Sequence, residues 1–318
     1  MTGEVLVTGA AGFIGSHLTT ACGRIGFAVT AVDPRPVRVP AAHVVRGPAA
    51  SASVVADVRA GRYRAVLHQG GISSTLESDV ARLRAVNVAE PLALAEACAA
   101  SGTPFAYASS HSVYGTVHAR VPMAEHDVDD ADRCTGPLNA YAWSKLTLDR
   151  EMAARFGADA AWAGYRYTNV FGTGEEHKGS MASIISQLLR QTARGQRLRV
   201  FADTLEACRD YVPVEVVAET MLAAIVEPPP AGVYNLGSGV AVSFAALLGW
   251  CAELRADGEL DVRLVPNPVR DRYQYWTCAD QSVTGKVLAP ARARTVDEVR
   301  AAASRLYATF SAAPGPVS

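Results

Sequence analysis

The chain has 318 residues, 49% hydrophobic and 19% charged, with a mean hydropathy of +0.10, which gives one large α/β unit or two domains and little long disorder. Lys and Arg together number 30 against 31 Asp and Glu, for a formal net charge of −1; no basic cluster that would neutralise a phosphate backbone occurs, which argues against nucleic acid as a partner. No apolar run approaches the roughly 20 residues that cross a bilayer, and the opening residues run straight into a strand-like segment, so neither a membrane span nor a secretory leader is expected. The six scattered cysteines, without a C-x-x-C pair, are read as reduced residues of a cytoplasmic protein, with no disulfide framework and no metal site.

Through the first half, short β-branched apolar runs alternate with Ala/Leu-rich stretches. Residues 5–8, 28–33, 65–68 and 105–109 are read as buried parallel strands. Residues 16–24, 51–60, 80–100 and 141–156 are the helices between them. This alternation predicts a doubly wound α/β sheet. Residues 161–167 add a strand. After Asn169 the pattern loosens into a Gly-rich loop, a helix near 180–194, a short strand at 198–201 and a helix over 214–226. That helix is stopped by Pro228-Pro229-Pro230, and 232–235 return to strand character. The tail, 312–318, carries Pro and Gly without periodicity and is expected to fray.

Gly9-Ala10-Ala11-Gly12-Phe13-Ile14-Gly15 directly follows the first strand and precedes a helix. Glycines in that position let the backbone turn tightly and approach a pyrophosphate on a helix N-terminus. Asp33 ends the second strand, where an acid accepts hydrogen bonds from the adenosine ribose hydroxyls. It favours NAD, because a 2′-phosphate would meet like charge there. Arg35 or Arg38 is placed to clamp such a phosphate, which leaves NADP open.

Of the 30 cations, 27 are Arg, leaving Lys145, Lys178 and Lys286. Where generic surface charge is Arg, a retained Lys points to a place that requires a compact, deprotonatable amine. Tyr141-Ala142-Trp143-Ser144-Lys145 puts a phenol and an amine on one helical face. A Tyr with a pKa near 10 needs a neighbouring cation to act as a base at neutral pH. Lys145 and a positively charged nicotinamide supply it. Tyr107-Ala108-Ser109-Ser110-His111-Ser112-Val113-Tyr114-Gly115 lies at the carboxyl end of a buried strand, where open α/β sheets bind ligands. Its hydroxyls can hold a substrate oxygen and pass a proton to Tyr141.

Together these motifs resemble the extended short-chain dehydrogenase/reductase superfamily. A narrower set resembles the ADP-L-glycero-D-manno-heptose 6-epimerases: His68-Gln69-Gly70-Gly71-Ile72-Ser73-Ser74-Thr75, Pro137-Leu138-Asn139, Arg166-Tyr167-Thr168-Asn169-Val170-Phe171-Gly172, Arg209-Asp210-Tyr211-Val212, Asn235-Leu236-Gly237-Ser238-Gly239, Arg272-Tyr273-Gln274 and, most specifically, His177-Lys178-Gly179-Ser180-Met181-Ala182-Ser183. The likeness runs over about 5–279. It implies a Rossmann-type dinucleotide-binding domain over 1–168, with about 212–236 folding back onto it, and a smaller mixed substrate domain from 169–211 and 237–318.

The resemblance also implies nucleotide-sugar epimerisation. A bound nicotinamide takes a hydride from a sugar carbon, the keto-sugar turns, and the same hydride returns to the other face. Tyr141, supported by Lys145, serves one face and Lys178 the other, with Ser110 as hydroxyl partner. The cofactor is implied to meet Gly9, Gly12, Phe13, Ile14, Gly15, Asp33, Arg35, His68, Gln69, Gly70, Asn87, Tyr141, Lys145 and Val170. The nucleotide sugar, ADP-linked in the resemblance, is implied to meet Ser73, Ser74, Ser110, Asn169, Lys178, Ser180, Gln187, Phe201, Thr204, Arg209 and Tyr273. Arg209 suits a diphosphate, its alternative being an ion pair with Asp210. His111 and His177 are shaping residues.

Departures from the family pattern gather near the sugar: Gln69, Gly71, Ile72, His111-Ser112-Val113, Thr173-Gly174 and Phe201-Ala202-Asp203-Thr204. They keep open another stereocentre or a modified heptose. Where the family carries an acid after the third strand, Gly47-Pro48 stands, and Asp57 is the candidate adenine-side partner. A dehydratase would need an Asp-Glu dipeptide where His111-Ser112 stand. A homo-oligomer is expected through the helices at 80–100 and 141–156.

Overall fold

The computed structural model describes residues 3–312. The first half winds as β1 (Glu4–Thr8), α1 (Phe13–Arg24), β2 (Ala28–Asp33), β3 (His43–Arg46), α2 (Ala52–Arg59), β4 (Ala65–His68), α3 (Val80–Arg84), α4 (Glu90–Ser101), β5 (Phe105–Ser110), α5 (Ala140–Arg155) and β6 (Trp162–Tyr167). The second half follows as β7 (Asn169–Phe171), α6 (Ile184–Ala193), β8 (Leu198–Phe201), β9 (Cys208–Pro213), α7 (Val214–Val226), β10 (Gly232–Leu236), β11 (Ala241–Ser243), α8 (Phe244–Glu253), β12 (Val262–Val265), α9 (Thr284–Val287) and α10 (Val296–Ala312).

Seven strands form one parallel sheet in the order β3-β2-β1-β4-β5-β6-β10. The apolar runs of β1, β4, β5 and β6 are buried on both faces, as a sheet covered by helices on each side requires. On one face α1 and α7 pack through Leu18, Cys22, Val217 and Met221. On the other, α2, α4 and α5 pack through Val54, Val58, Leu94, Cys98, Leu148 and Met152. The doubly wound architecture expected from the sequence is thus present.

The remaining strands form a three-stranded mixed sheet, β11-β9-β7, and a parallel pair, β12-β8. A separate core built from α6, α8 and α10, including Ile185, Leu188, Leu189, Leu247, Val299 and Leu306, backs them. All six cysteines are buried and unpaired. No helix of the described residues is long and apolar enough to cross a membrane.

The structure corrects several expected elements. Helix α1 begins at Phe13, because Gly12 occupies the cap position in extended conformation. Residues 80–100 are not one helix: a π-turn over Ala85–Ala89 separates α3 from α4. Pro91, in the first turn of α4, has no amide hydrogen for the carbonyl one turn back, and the wider turn accommodates it. The helix expected near 180–194 begins only at Ile184, capped by Ser183. Ahead of it Glu176–Met181 is a 3₁₀ segment broken at Gly179, with φ 55° and ψ −121°. The strands β3, β7, β9, β11 and β12 and the helices α8, α9 and α10 were not anticipated. Of the tail, Ala312 closes α10, and 313–318 lie outside the described residues.

One buried acid ties the two sheets together. Asp210 on β9 accepts hydrogen bonds from Ser238 N and Oγ (2.6 and 2.7 Å), Gly239 N (3.0 Å), Ala279 N (3.0 Å) and Thr168 Oγ1 (3.3 Å). Gly237 must be glycine here, since a Cβ would lie 2.5 Å from the Asp210 carboxylate. Replacing Asp210 with Ala strands these donors in a dry layer. It should lower the unfolding free energy by about 3 kcal/mol or more, measured by denaturant titration.

Candidate active site

The glycine motif forms the turn between β1 and α1. Gly9 has φ +67°, and a Cβ there would lie 2.6 Å from the Gln69–Gly70 backbone. A Cβ on Gly15 would lie 2.1 Å from the Gly9 carbonyl oxygen, so the helix can start this close to the strand only with glycine. The first turn of α1 carries no side-chain cap and no acidic residue, which leaves its amides and positive dipole end open to an anion. Phe13 and Val170 lie in the core on the α1 face.

Asp33 is buried at the end of β2. Its carboxylate accepts from Ala11 N (3.1 Å), Arg35 N (2.8 Å) and the Arg35 guanidinium (3.2 Å). Beside the turn, the Thr8 hydroxyl bonds His68 Nδ1 (2.8 Å), and the Gly70 amide reaches the same hydroxyl (3.3 Å). Burial, and then the Lys145 charge, lower the His68 pKa to about 3, which keeps the ring neutral. Gln69 Oε1 accepts from Tyr167 Oη (3.1 Å). His68 Nε2 and Gln69 Nε2 are buried without a protein partner. A cradle that a Cβ would fill, an uncapped helix start, an acid at the next strand end and two orphaned polar atoms together fit a dinucleotide. Asp57 lies elsewhere: Arg62 joins it (2.7 Å) to Glu4 (2.8 Å), the first residue of β1, at the opposite edge of the sheet. It is therefore not an adenine-side partner.

Tyr141 and Lys145 occupy successive turns of α5, which Asn139 caps through its side chain (2.9 Å to Ala142 N). Lys145 is 5% exposed and donates to the Ala108 carbonyl on β5 (2.8 Å). Burial lowers its pKa to about 8, against the opposing pull of Asp149 one turn further on. Burial raises the Tyr141 phenol, and a hydrogen bond with Ser110 partly offsets the rise. Ser110 Oγ also meets Ser112 Oγ at 2.8 Å. The π-turn directs Asn87 inward, where it brackets Ile72 (2.8 and 3.0 Å) and donates to Ser144 (3.0 Å). This holds the 70–75 strip against α5. Ser73 is exposed, and Ser74 Oγ accepts from Leu76 N (3.2 Å).

Lys178 stands on a different wall. Its amine lies 5.2 Å from the centre of the Phe13 ring, at the start of α1, and 3.3 Å from Glu175 Oε2. The face of the sheet that carries α1 is opposite to the one that carries α5. Lys286, the third lysine, is exposed on α9.

The other residues expected around a nucleotide sugar come from the smaller sheets and the segments around them. Arg209 is buried and stacks on Tyr273 (4.8 Å) and Phe244 (5.7 Å); Phe201 meets Tyr273 edge-on at 6.0 Å. Arg209 does not pair with Asp210, whose carboxylate is taken up by the tie described above. Its Nη1 donates to the Cys208 carbonyl (3.0 Å). A buried guanidinium with aromatic walls and no carboxylate in ion-pair contact among the described residues is suited to an anionic group. Asn169 Nδ2 reaches the Asp210 carbonyl and Thr277 Oγ1, both at 3.3 Å. Gln187 donates to the carbonyls of Ala182 (2.7 Å) and Ser180 (3.2 Å), Ser180 itself being exposed. Thr204 is fully buried, with its hydroxyl on the Phe201 carbonyl (2.9 Å). His111 is buried against the Tyr114 ring, and neither ring nitrogen completes a hydrogen bond.

Two acids escaped the sequence reading. Asp149 accepts from Tyr107 Oη (3.1 Å), Ser109 Oγ (3.0 Å) and Arg166 Nε (2.9 Å); its spacing four beyond Lys145 is a signal that was there to use. Glu175, three residues before Lys178, is wholly buried.

The lowered Lys145 pKa has a thermodynamic signature. Between pH 8 and the unfolded value near 10.4, the unfolded chain binds the proton that the folded chain has lost, so stability from this group rises with pH. Relative to Lys145→Met, the wild-type unfolding free energy should gain about 3 kcal/mol from pH 7.5 to pH 10.5, read from denaturant titrations at each pH.

Residues 5–237 match the family described as "NAD dependent epimerase/dehydratase family". Among solved structures, MoeE5 in complex with UDP-glucose and NAD is 30% identical and superposes with a TM-score of 0.79, covering 98% of this chain and 100% of that one. The same protein with UDP-glucuronic acid and NAD is 31% identical, with a TM-score of 0.78 over 96% and 98%. The ADP-L-glycero-D-manno-heptose-6-epimerase of Helicobacter pylori has the same fold at 22% identity, with a TM-score of 0.82 over 98% and 97%. With the matched family spanning most of the chain and the glycine turn, Tyr141 and Lys145 in place, the chain belongs to the NAD dependent epimerase/dehydratase family.

Proposed function

We propose that the protein is a nucleotide-sugar epimerase that works by transient oxidation with NAD, on an ADP-linked heptose. The observation that carries this reading is the pair of walls. A phenol backed by a buried amine stands on α5, and a second amine stands beside α1, on the other face of the sheet. Epimerisation has to remove and return hydrogen on opposite faces of one carbon, and groups placed on two walls suit that demand.

NAD would be held by the glycine turn at Gly9–Gly15, Asp33, His68 and Gln69, and would supply reversible hydride acceptance at the sugar carbon. Tyr141 takes the hydroxyl proton on one face, with Ser110 as its hydrogen-bonded partner. Lys145, held by the Ala108 carbonyl, favours the phenolate by its charge. Lys178 handles the same proton once the keto-sugar has turned. Arg209, between Tyr273 and Phe244, holds the diphosphate. Asp33 supports NAD over NADP, because its buried carboxylate would face a 2′-phosphate and it already engages Arg35. His111-Ser112 supply no carboxylic acid/base pair for loss of water, which favours epimerisation over dehydration.

The heptose assignment is supported by the His177–Ser183 run. A UDP-hexose or UDP-hexuronate is the second reading, supported by the 30–31% identity to MoeE5. Purified protein, without added cofactor, is offered ADP-D-glycero-D-manno-heptose, UDP-glucose and UDP-glucuronic acid in heavy water and followed by NMR. Inversion of the heptose with its carbon-bound hydrogen retained is expected. Deuterium at the inverted carbon, or net loss of water, would refute transient-oxidation epimerisation.

Tyr141→Phe and Lys178→Met should each lower kcat by at least about 100-fold while bound cofactor, measured by its absorbance after denaturation, is unchanged. Full activity of Lys178→Met would exclude the second base.

A further inference from the structure

Glu175 is a carboxylate with an unusually complete set of partners. It is 1% exposed and accepts from Ser186 Oγ (2.7 Å), Ser183 N (2.7 Å), Ser183 Oγ (2.8 Å) and Gly172 N (3.3 Å). These four neutral donors satisfy both oxygens without help. Three come from the cap and first turn of α6, whose positive end favours an anion. The Lys178 amine is a fifth partner at 3.3 Å, and the one cation among the described residues that pairs with this acid.

The other side of the amine rests over the Phe13 ring at 5.2 Å. The loop between is also pinned to α1: His17 Nε2 meets the Thr173 carbonyl at 2.9 Å, and the His17 ring lies edge-on to Phe13. Carboxylate, ammonium, aromatic ring and imidazole thus close a circuit from α6 through the 173–178 loop to the first turns of α1. A flexible four-carbon stem is fixed at its tip from two sides, with its side chain still 27% exposed.

We propose that Glu175 is the positioning residue that aims Lys178, setting the place from which the amine reaches the second face of the sugar carbon. This rests on the reading of Lys178 as the second base. A carboxylate that merely stabilised the loop would need its four neutral donors alone.

Two readouts separate aiming from loop stability. With only three lysines in the chain, ε-¹³C-labelled lysine gives three resolvable methylene signals, assigned with Lys178→Met. The Lys178 signal should be displaced by the Phe13 ring current and should collapse toward the free-lysine position in Glu175→Gln. Ser186→Ala, which removes one neutral donor and keeps the acid, should lower thermal stability without moving that signal. An unmoved Lys178 signal in Glu175→Gln overturns the proposal.

The second readout is facial. ADP-D-glycero- and ADP-L-glycero-D-manno-heptose are mixed separately with the enzyme, and reduction of bound nicotinamide is followed in a single turnover. Glu175→Gln should slow the epimer that depends on Lys178 by about 100-fold and leave the other near the wild-type rate. Equal slowing of both epimers would assign Glu175 a structural role only. If Lys178→Met itself shows no facial preference, the two-base reading falls, and the methylene signal alone decides whether Glu175 fixes the amine. Glu175→Asp, with the charge kept and withdrawn by one methylene, is measured alongside; a smaller but still one-sided slowing is expected, and its absence counts against the proposal.

Discussion

The whole site is organised around keeping one ammonium dry. Lys145 sits beneath the ends of the central strands, where a charge is expensive to bury, and every neighbour answers that demand. The Ala108 carbonyl takes one hydrogen, and Asp149 supplies opposite charge a turn away. Asp149 has its own requirements, met by Tyr107, Ser109 and Arg166. Arg166 in turn reaches Tyr114 and the Glu125 carbonyl, and Tyr114 leans on Asn235 of β10. The chain of obligations runs from α5 through β5 and β6 to β10, the edge strand of the sheet. Such networks are worth having only when every member is satisfied.

The parallel sheet supplies the second constraint. Its helices cover both faces, so the turns at its carboxyl edge deliver side chains from each. The glycine turn and Phe13 arrive with α1, while Tyr141 and Lys145 arrive with α5. The second sheet carries Arg209, which stacks on Tyr273, and the loop that follows β7 reaches the first turns of α1 through Thr173 and Lys178. Asp210 fixes this arrangement through backbone donors of the turn after β10 and the segment at 279.

Legibility followed burial. Strands covered on both faces are continuous apolar runs, so β1, β2, β4, β5 and β6 could be read within a residue or two. The edge strand β3 is largely exposed, and β7 and β11 are three residues long and defined by their partners more than by composition. Helix α8 is apolar nearly all round and shows no clean period. The break in 80–100 was hidden by uninterrupted apolar spacing, although Pro91 marked it. Motif residues were easy to find because glycine turns and Tyr-x-x-x-Lys have fixed spacing. Glu175 was not, because its burial depends on Ser183 and Ser186 returning from the far side of the loop. Asp57 misled for the converse reason: an acid at a plausible distance in sequence sits at the wrong end of the strands.

The chain passes from the seven-stranded sheet to the three-stranded one after β6, returns after β9 into α7 and β10, and leaves again for β11. Neither layer is therefore one continuous stretch of polypeptide. Substrate preference cannot be grafted between relatives by exchanging a terminal cassette, because no single cut puts all the strands of one layer on one fragment and all those of the other on the second. Recombination has to be made at three crossover points together, or by individual replacements on a scaffold left whole.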